Sequence, residues 1–559
     1  MAFKGTRLNP SEQPWDTTDY THPSDPNLSE LHRAMKYTLA GEPELRTETS
    51  YRTNPDNLQM DQVGRLRVAV QGNSWWYAPT VDKDGDLRYI ESFTGTGAGS
   101  VFVQNIASIG LSSGTDANGK AIRISRRRHK MRPGISIQSL FSINWNGYDS
   151  GSVTKRAGLF TAYNGIYFEV TTDLAVVVRR RLPDGTLVET RVMRSDFNID
   201  KLDGSDAYDL RPVVLQQSSI TGYVSTTPIS VPANGGTIYN VVYTVSDLSQ
   251  FMISQKFAVT GVSPQSFNGT VMVVAKSAAT GAGHITVSYL TDPGVFVSLS
   301  NAKMEHNALH NQYIFGFDFA GARNTSVRFF VDGPNGRFVF HNEDFSGELS
   351  TTFSNAPSMS TRYEVFNTSA PTFRPSFLVS AEVVNVEAEV ELNPAFGVAT
   401  NNTYLAYPAA GTAEYPVLGV ALRAGEPFQR SDLQIQSVSL VDLNNFGNQN
   451  SVPATFYWRL VLNPTIGGTG IPASYNVGKS TRAWNYVATN TASGGTDLVS
   501  GYANSYLGAI DVRSALNFIN LGSNIDYTDS DRVVLVVKQL KGGSNDAHVV
   551  ATINFIEAL

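Results

Sequence analysis

Cysteine is absent from all 559 residues. That absence excludes disulfide staples, thiolate metal sites and cysteine nucleophiles together. Charge is sparse as well: Asp, Glu, Lys and Arg make up 16% of the chain, and there are 8 histidines. With 43 basic against 49 acidic residues the net charge is −6, so a polyphosphate is repelled everywhere except at a local basic run. No apolar run approaches the roughly 18 residues of a membrane span. The opening "MAFKGTRLNPSEQPWD" has no signal-peptide hydrophobic core. The expectation is a soluble protein made in a cytoplasm, without membrane insertion. No G-x-S-x-G nucleophile elbow occurs, which weakens the case for an enzyme.

Glycine (47 residues) and aromatics (11%) are plentiful, as are serine, threonine, asparagine and valine. Such a composition suits short strands joined by tight turns, and the fold class expected is all-β: a multi-domain β-sandwich or jelly roll. The length exceeds what a single core fills, so several domains are expected. Residues 1–60 are polar and proline-punctuated. They read as an extended N-terminal arm with one short helix in "NLSELHRAMKYTLAG", opened by Asn27 or Ser29 and closed by Gly41. A jelly-roll-like sandwich is assigned to 61–214 and 301–370. An immunoglobulin-like sandwich, rich in Thr, Ser and Val and nearly free of Arg, is expected as an insert over 215–300. A C-terminal sandwich covers 371–559, after the proline-containing linker "TSAPTFRPS". In "DLAVVVRRRLPDGTLVETRVM", Pro183-Asp184-Gly185 supplies the turn between two β-branched strands.

Several segments look like chemistry. Asp82-Lys83-Asp84-Gly85-Asp86 begins like a calcium loop, but Leu87 stands at the required glycine and Phe93 at the bidentate glutamate. A hairpin turn is the reading preferred. His306 and His310 have the i, i+4 spacing of a metal pair, with Asn307 where the metalloprotease glutamate belongs, and they read as a surface pair. Gly478 to Thr481 spells "GKST" without the earlier glycine of a phosphate loop. Asp196, Asp200, Asp203, Asp206 and Asp209 crowd one loop. Their default role is capping turn amides, and the loop is also the best place for an ion or a pair of acid catalysts. No catalytic, cofactor-binding or metal-binding residue is assigned, and no cofactor is expected.

The segment "RISRRRHKMRPG", residues 123–134, is the one basic cluster. In the strand that follows, Ile135, Ile137, Phe141 and Ile143 share a face that should be buried, opposite Ser136, Gln138, Ser142 and Asn144. The same parity carried back through Pro133-Gly134 places Arg126, Arg128, Lys130 and Arg132 together on the outer face. Three roles stay open for them: a solvated face, a subunit interface in which arginine forks meet carboxylates, and a nucleic-acid grip.

"NPDNLQMDQVGRLRVA", "RRRHKMRPG", "KRAGLFTAYNGIYFEV", "LAVVVRRR" and "DFNIDKLDG", followed after the insert by "HNQYIFGFDFAGARNTSVRFFVDG", "MSTRYEVFN", "PVLGVALR", "FYWRLVLNPTI" and "SDRVVLVVKQL", resemble a family of virion structural proteins. That family occurs in tailed bacteriophages, notably marine and cyanobacterial ones, with relatives in giant viruses. The resemblance covers about 55–214 and 305–559. The chain departs from it in reading "DQVGRLRVA" where relatives commonly have "DAFGRLRVS". "AGLFTAYNGIYFEV" with "VRFFVDGPNGRFVFHNEDF" is also similar to concanavalin-like or laminin-G-like jelly rolls.

The resemblance implies a non-enzymatic particle component, with an oligomeric tail, baseplate or fibre protein as the leading expectation. Its partners would be copies of itself, a trimer first, and other virion proteins reached through the N-terminal arm. No nucleic-acid partner is expected, and the place of action is the virion. The alternatives are a lectin-like adsorption protein recognising host surface glycans, with Trp75, Trp76, Tyr148 and Tyr163 available to stack on sugar rings, a capsid decoration or neck protein, and a depolymerase built on the aspartate loop.

Overall fold

The computed structural model describes residues 59–60, 66–67 and 71–558, except 81–87, 104–105, 131–134, 149–150, 183, 206–207, 232–235, 290–291, 322–325, 334–335, 346–357, 372–373, 388–394, 401–404, 408–412, 424–431, 443–454, 470, 473–479, 488, 505, 513–515, 517–521, 523–529 and 542–546. The chain divides into two compact units, 1–72 with 386–389, and 73–385 with 390–559. In the first, Gln59–Met60 pairs antiparallel with Leu66–Arg67. The rest of the expected docking arm, including its helix, lies outside the described residues, as do Asp82–Asp86, Pro183, Asp206 and Gly478.

The second unit is all-β and begins with a jelly-roll-like sandwich. One sheet has seven strands, in the order Leu187–Met193, Leu174–Arg181, Gly165–Val170, Val153–Phe160, Ser358–Asn367, Lys120–Lys130 and Tyr89–Thr94. The other has eight, seven of them in the order Gly336–Asp344, Ser326–Gly333, Gln312–Gly321, Ile135–Asn144, Ser376–Glu387, Ser108–Ser113 and Ala98–Val103. Ile137, Phe141 and Ile143 are buried as their alternation requires, while the side chain of Ile135 lies outside the described residues. Between the sheets, Trp145 stacks on Phe377 with ring centroids 5.6 Å apart, and Phe168 meets Phe315 and Phe329. Such aromatic pairs add a geometric preference to the burial of large apolar area.

The turn read at 183–185 closes through its described residues. Leu182 N–H donates to Thr186 O at 2.8 Å, Asp184 Oδ1 accepts from Thr186 N–H at 2.9 Å, and Gly185 takes φ +90°. A positive φ of this kind is cheap only for glycine.

The insert runs from Gln216 to His306. Two open sheets were expected there, but the strand Gln216–Val231 bonds both Gly236–Val245 and Ser298–His306, and the six strands close into a barrel. Tyr243, Phe251, Phe257, Phe267 and Val287 fill it. Closure leaves no free sheet edge in this module. The C-terminal block is a sandwich of a five-stranded sheet and a six-stranded one, joined by a core that includes Trp458, Leu460, Val533, Leu535, Ile553 and Phe555. No helix among the described residues is long and apolar enough to cross a membrane.

Candidate functional site

Polar side chains collect at four places in the second unit. The first is the face of the seven-stranded sheet turned away from the sandwich interior. Period-two alternation brings Glu364, Arg156 and Glu169 side by side across three neighbouring strands, because Glu364 opposes Arg156 and Arg156 opposes Glu169. Arg156 Nε lies 2.7 Å from Glu169 Oε2, and Arg191 Nη2 lies 3.0 Å from Glu169 Oε1. Arg179 Nε donates to Glu189 at 2.6 Å, and Tyr167 OH donates to the same oxygen at 3.1 Å. Lys120 and Arg362 both reach Glu364, at 3.0 and 3.3 Å. The Arg156 guanidinium also sits over the rings of Phe366 and Tyr167. Burial alone would raise the Glu364 carboxyl, but Arg362, Lys120 and Arg156 outweigh it and hold it down at about 2. Glu189 is lowered by Arg179 and by its hydrogen bonds, against the opposing effect of burial. An acid catalyst needs the reverse shift, a carboxyl kept protonated near neutral pH.

The second place lies inside the sandwich. Glu382, 1% exposed, accepts from Trp75 Nε1–H, Tyr89 OH at 2.6 Å, Thr361 Oγ1 at 3.0 Å and Tyr363 OH. Arg123 stacks 3.8 Å over the Tyr89 ring, donates to Tyr77 OH at 3.2 Å and pairs with Glu91. Burial, and then the Glu382 charge, push both the Tyr89 and the Tyr363 hydroxyl well above 10, so both remain donors.

The third place resolves the basic segment. Arg126 is buried and paired with Asp531 of the C-terminal sandwich. Asp531 is itself fixed by Asn463 Nδ2–H at 2.8 Å and by Gly522 N–H at 3.3 Å. A β-carbon at Gly522 would stand 3.3 Å from Arg128 Nη2. Arg126 and Arg128 therefore face another module of the same chain, where the sequence left solvent, a second subunit and nucleic acid open, while Arg132 and the side chain of Lys130 lie outside the described residues. The ladder slips between Ser360 and Arg362, so Ser125, Arg126 and Arg127 form a bulge opposite Thr361.

The fourth place joins the jelly roll to the barrel. Lys256 Nζ donates to Asn146 Oδ1 at 3.0 Å, Thr270 Oγ1 donates to Asn146 O at 3.0 Å, and Asn146 takes φ +55°. His306 and His310, expected at the surface, are each 3% exposed, with ring centroids 5.4 Å apart. They sit at the end of a strand and in a short 3₁₀ turn, and are covered by elements that their spacing does not reveal. Gly147 makes the closure possible, since a β-carbon there would fall 2.5 Å from His310 Cε1. Lys155 Nζ donates to Trp145 O at 2.6 Å beside them.

The aspartate loop serves its own turns. Asp200 Oδ1 accepts from Leu202 N–H, Asp203 Oδ1 from Ser205 N–H and Asp209 Oδ1 from Arg211 N–H. Asp196 lies in a single 3₁₀ turn. No group of three or more His, Asp or Glu among the described residues is placed to hold a metal ion. Of the aromatics proposed for sugar stacking, Trp75 is buried on Glu382. Tyr148 donates to Leu210 O, Tyr163 lies under Arg181, and Trp76 is exposed. Sequence reasoning missed Glu382, Lys155 and Lys256.

Burial sets an acid limit on this fold. Burial first, and then the Arg127 charge, push the His129 imidazole from 6.5 down to about 3. His310 is lowered by burial and by the nearby His306, Lys155 and Lys256. Lys256 is lowered to about 7 by burial and by Lys155. A base whose folded pKa is depressed leaves the unfolded chain binding more protons, so stability is complete above the unfolded value and is lost as pH falls toward the folded one. For His129 that window is 6.5 to 3, with a loss of about 1.4 kcal/mol per pH unit. Glu364 adds a loss below 4.5, and Lys256 adds stability from 7 upward. The melting temperature is expected to fall continuously from pH 6.5 to 4 and to be highest on the alkaline side. A flat calorimetric profile between pH 6.5 and 4 would contradict this.

The molecule is thus an all-β protein of jelly-roll-like sandwich, inserted barrel and second sandwich. No protein-family model matches the chain, and no curated protein matches its sequence. Among solved structures it is similar to a putative beta-glucanase from Mycobacterium abscessus, at 7% identity, 56% of this chain, all of that one and a TM-score of 0.24. It is also similar to the Emp46p carbohydrate recognition domain, at 7% identity, 56% of this chain, 97% of that one and a TM-score of 0.21. A third similarity is to peanut lectin, at 7% identity, 57% of this chain, 98% of that one and a TM-score of 0.20. Likenesses of this size carry nothing about activity.

Proposed function

We propose that this chain is a non-enzymatic architectural component of a tailed-phage particle, placed first in the tail, baseplate or fibre. The observation that carries the architectural reading is the use made of buried charge. The Arg126–Asp531 pair fixes one sandwich on the other, and the Lys256–Asn146 contact fixes the barrel. Buried charge is tolerated only where it is paired, and the Arg126–Asp531 pair lies between modules. The carboxylates of the outer sheet face are also matched by arginine or lysine, which suits a rigid surface better than a proton-transfer cleft. The virion placement comes from the family resemblance of 55–214 and 305–559.

A lectin-like adsorption role is the second reading. Tyr502, 72% exposed, sits 5.4 Å from Tyr457 in the C-terminal sandwich and offers a ring platform of the kind that sugars stack on. Antibody-gold labelling of intact particles tests both. Labelling along the tail or baseplate, with adsorption unaffected by soluble host polysaccharide, is expected. Unlabelled particles would overturn the virion role, and polysaccharide-blocked adsorption would favour the lectin.

A further inference from the structure

We infer that the strand Leu187–Met193 is a docking edge for the same strand of a second copy of this chain, paired antiparallel about Thr190. The strand ends the seven-stranded sheet: its seven residues pair with Leu174–Arg181 on one side, and no described strand pairs with it on the other. An edge of this kind presents a row of unused backbone donors and acceptors. Natural sheets blunt such edges with proline, lysine, bulges or a covering segment. "LVETRVM" has no proline, glycine or lysine, and its register with the neighbouring strand is unbroken.

The contrast with the edge strand of the other sheet is direct. Gly336–Asp344 is blocked: Phe340 O accepts from the backbone N–H of Ile199 and of Asp200, and Asn198 exchanges side-chain hydrogen bonds with the backbone of Asn342. The blocking segment follows the open strand by only a few residues, so among the described residues one edge is protected and the adjacent one has no covering strand.

The sequence of the open strand identifies its occupant. Set antiparallel against itself with Thr190 on a two-fold axis, it places Glu189 opposite Arg191 of the second copy, and Arg191 opposite Glu189. Val188 then meets Val192, and Leu187 meets Met193, each twice. Opposite charges and β-branched pairs are the favourable cross-strand combinations, and a one-residue slip would place each side chain on the wrong face. Glu189 and Arg191 both keep part of their surface in solvent, at 33% and 42% of the side chain, so each can share its present partner with the second copy. Leu187, 49% exposed, and the half-buried Val188 and Val192 gain burial. The contact is isologous and closes as a dimer; in a larger assembly it links rings rather than building one.

This inference rests on the architectural reading for its purpose but not for its geometry. The absence of cysteine makes it testable in the isolated full-length chain. Thr190→Cys places two sulfurs opposite each other on the axis, about 4.5–5.5 Å apart at Cα, within disulfide reach. Val188→Cys sulfurs in the same dimer stand roughly 13 Å apart. Under mild oxidation Thr190→Cys is expected to form covalent dimers at least about tenfold faster than Val188→Cys. A mixture of Val188→Cys and Val192→Cys chains should cross-link although neither does alone. The unsubstituted chain should sediment as a concentration-dependent dimer, with melting temperatures confirming that each variant is folded. Equal rates for Thr190→Cys and Val188→Cys, or a monomer at every concentration, would overturn the inference. Failure here with labelled particles sinks the pairing alone, whereas unlabelled particles with efficient cross-linking sink the virion role alone.

Discussion

Replacing Asp531 with alanine is expected to destabilise the protein by about 3–5 kcal/mol, because it takes the carboxylate away from the buried Arg126 guanidinium. The side chains of the two residues are 6% and 8% exposed, so water cannot take over the carboxylate's role. Asn463 Nδ2–H and Gly522 N–H lose their acceptor at the same time. Calorimetry should show the C-terminal sandwich separating from the jelly roll into an earlier transition of its own. The double variant Arg126→Met with Asp531→Leu should recover much of the loss, since two apolar groups of similar size carry no desolvation penalty. A single unshifted transition for Asp531→Ala would show that the contact does not join the modules.

Glu382→Ala is expected to cost about 4 kcal/mol or more, as four buried donors lose one acceptor and each orphaned group carries about 1–3 kcal/mol. Trp75, Tyr89 and the pair Thr361 and Tyr363 come from three separate strands, so the carboxylate ties both sheets together from within. Tyr363→Phe removes one donor and should cost about 1 kcal/mol. Glu382→Gln should fall between the two. Denaturant titrations followed by near-ultraviolet circular dichroism would report both the stability and the packing of these rings. A loss for Glu382→Ala no larger than that for Tyr363→Phe would dismiss the hub.

Local pattern carried the parts of this fold that are decided locally. The alternation around Ile137, Phe141 and Ile143 and the turn at Asp184-Gly185 could be read because their physical cause lies within a few residues. Arg126 could be recognised as a residue in need of a carboxylate, but its partner stands 405 positions away, beyond any periodicity. Glu382 sits in "LVSAEVVNVEAEV" with the parity of the buried Val384 and Val386, and nothing within that segment supplies the donors a carboxylate on an apolar face needs. Its environment is set by Trp75, Tyr89 and Tyr363, which only the sheet order brings together. The spacing of His306 and His310 suggests a surface pair because it describes their relation to each other and omits Gly147, beside which His310 packs. The aspartate loop was legible because Asx turns are short-range.

The barrel enters and leaves the jelly roll through one pair of adjacent strands, with Gln216 directly opposite His306. Both ends of the excursion are therefore fixed at a single point of the host domain, whatever the 89 residues between them do. Such a module behaves as a cassette. Lineages can lengthen it, shorten it or exchange it for another without shifting the register of either host sheet, and a reporter domain with closely spaced termini should be accepted at the same position.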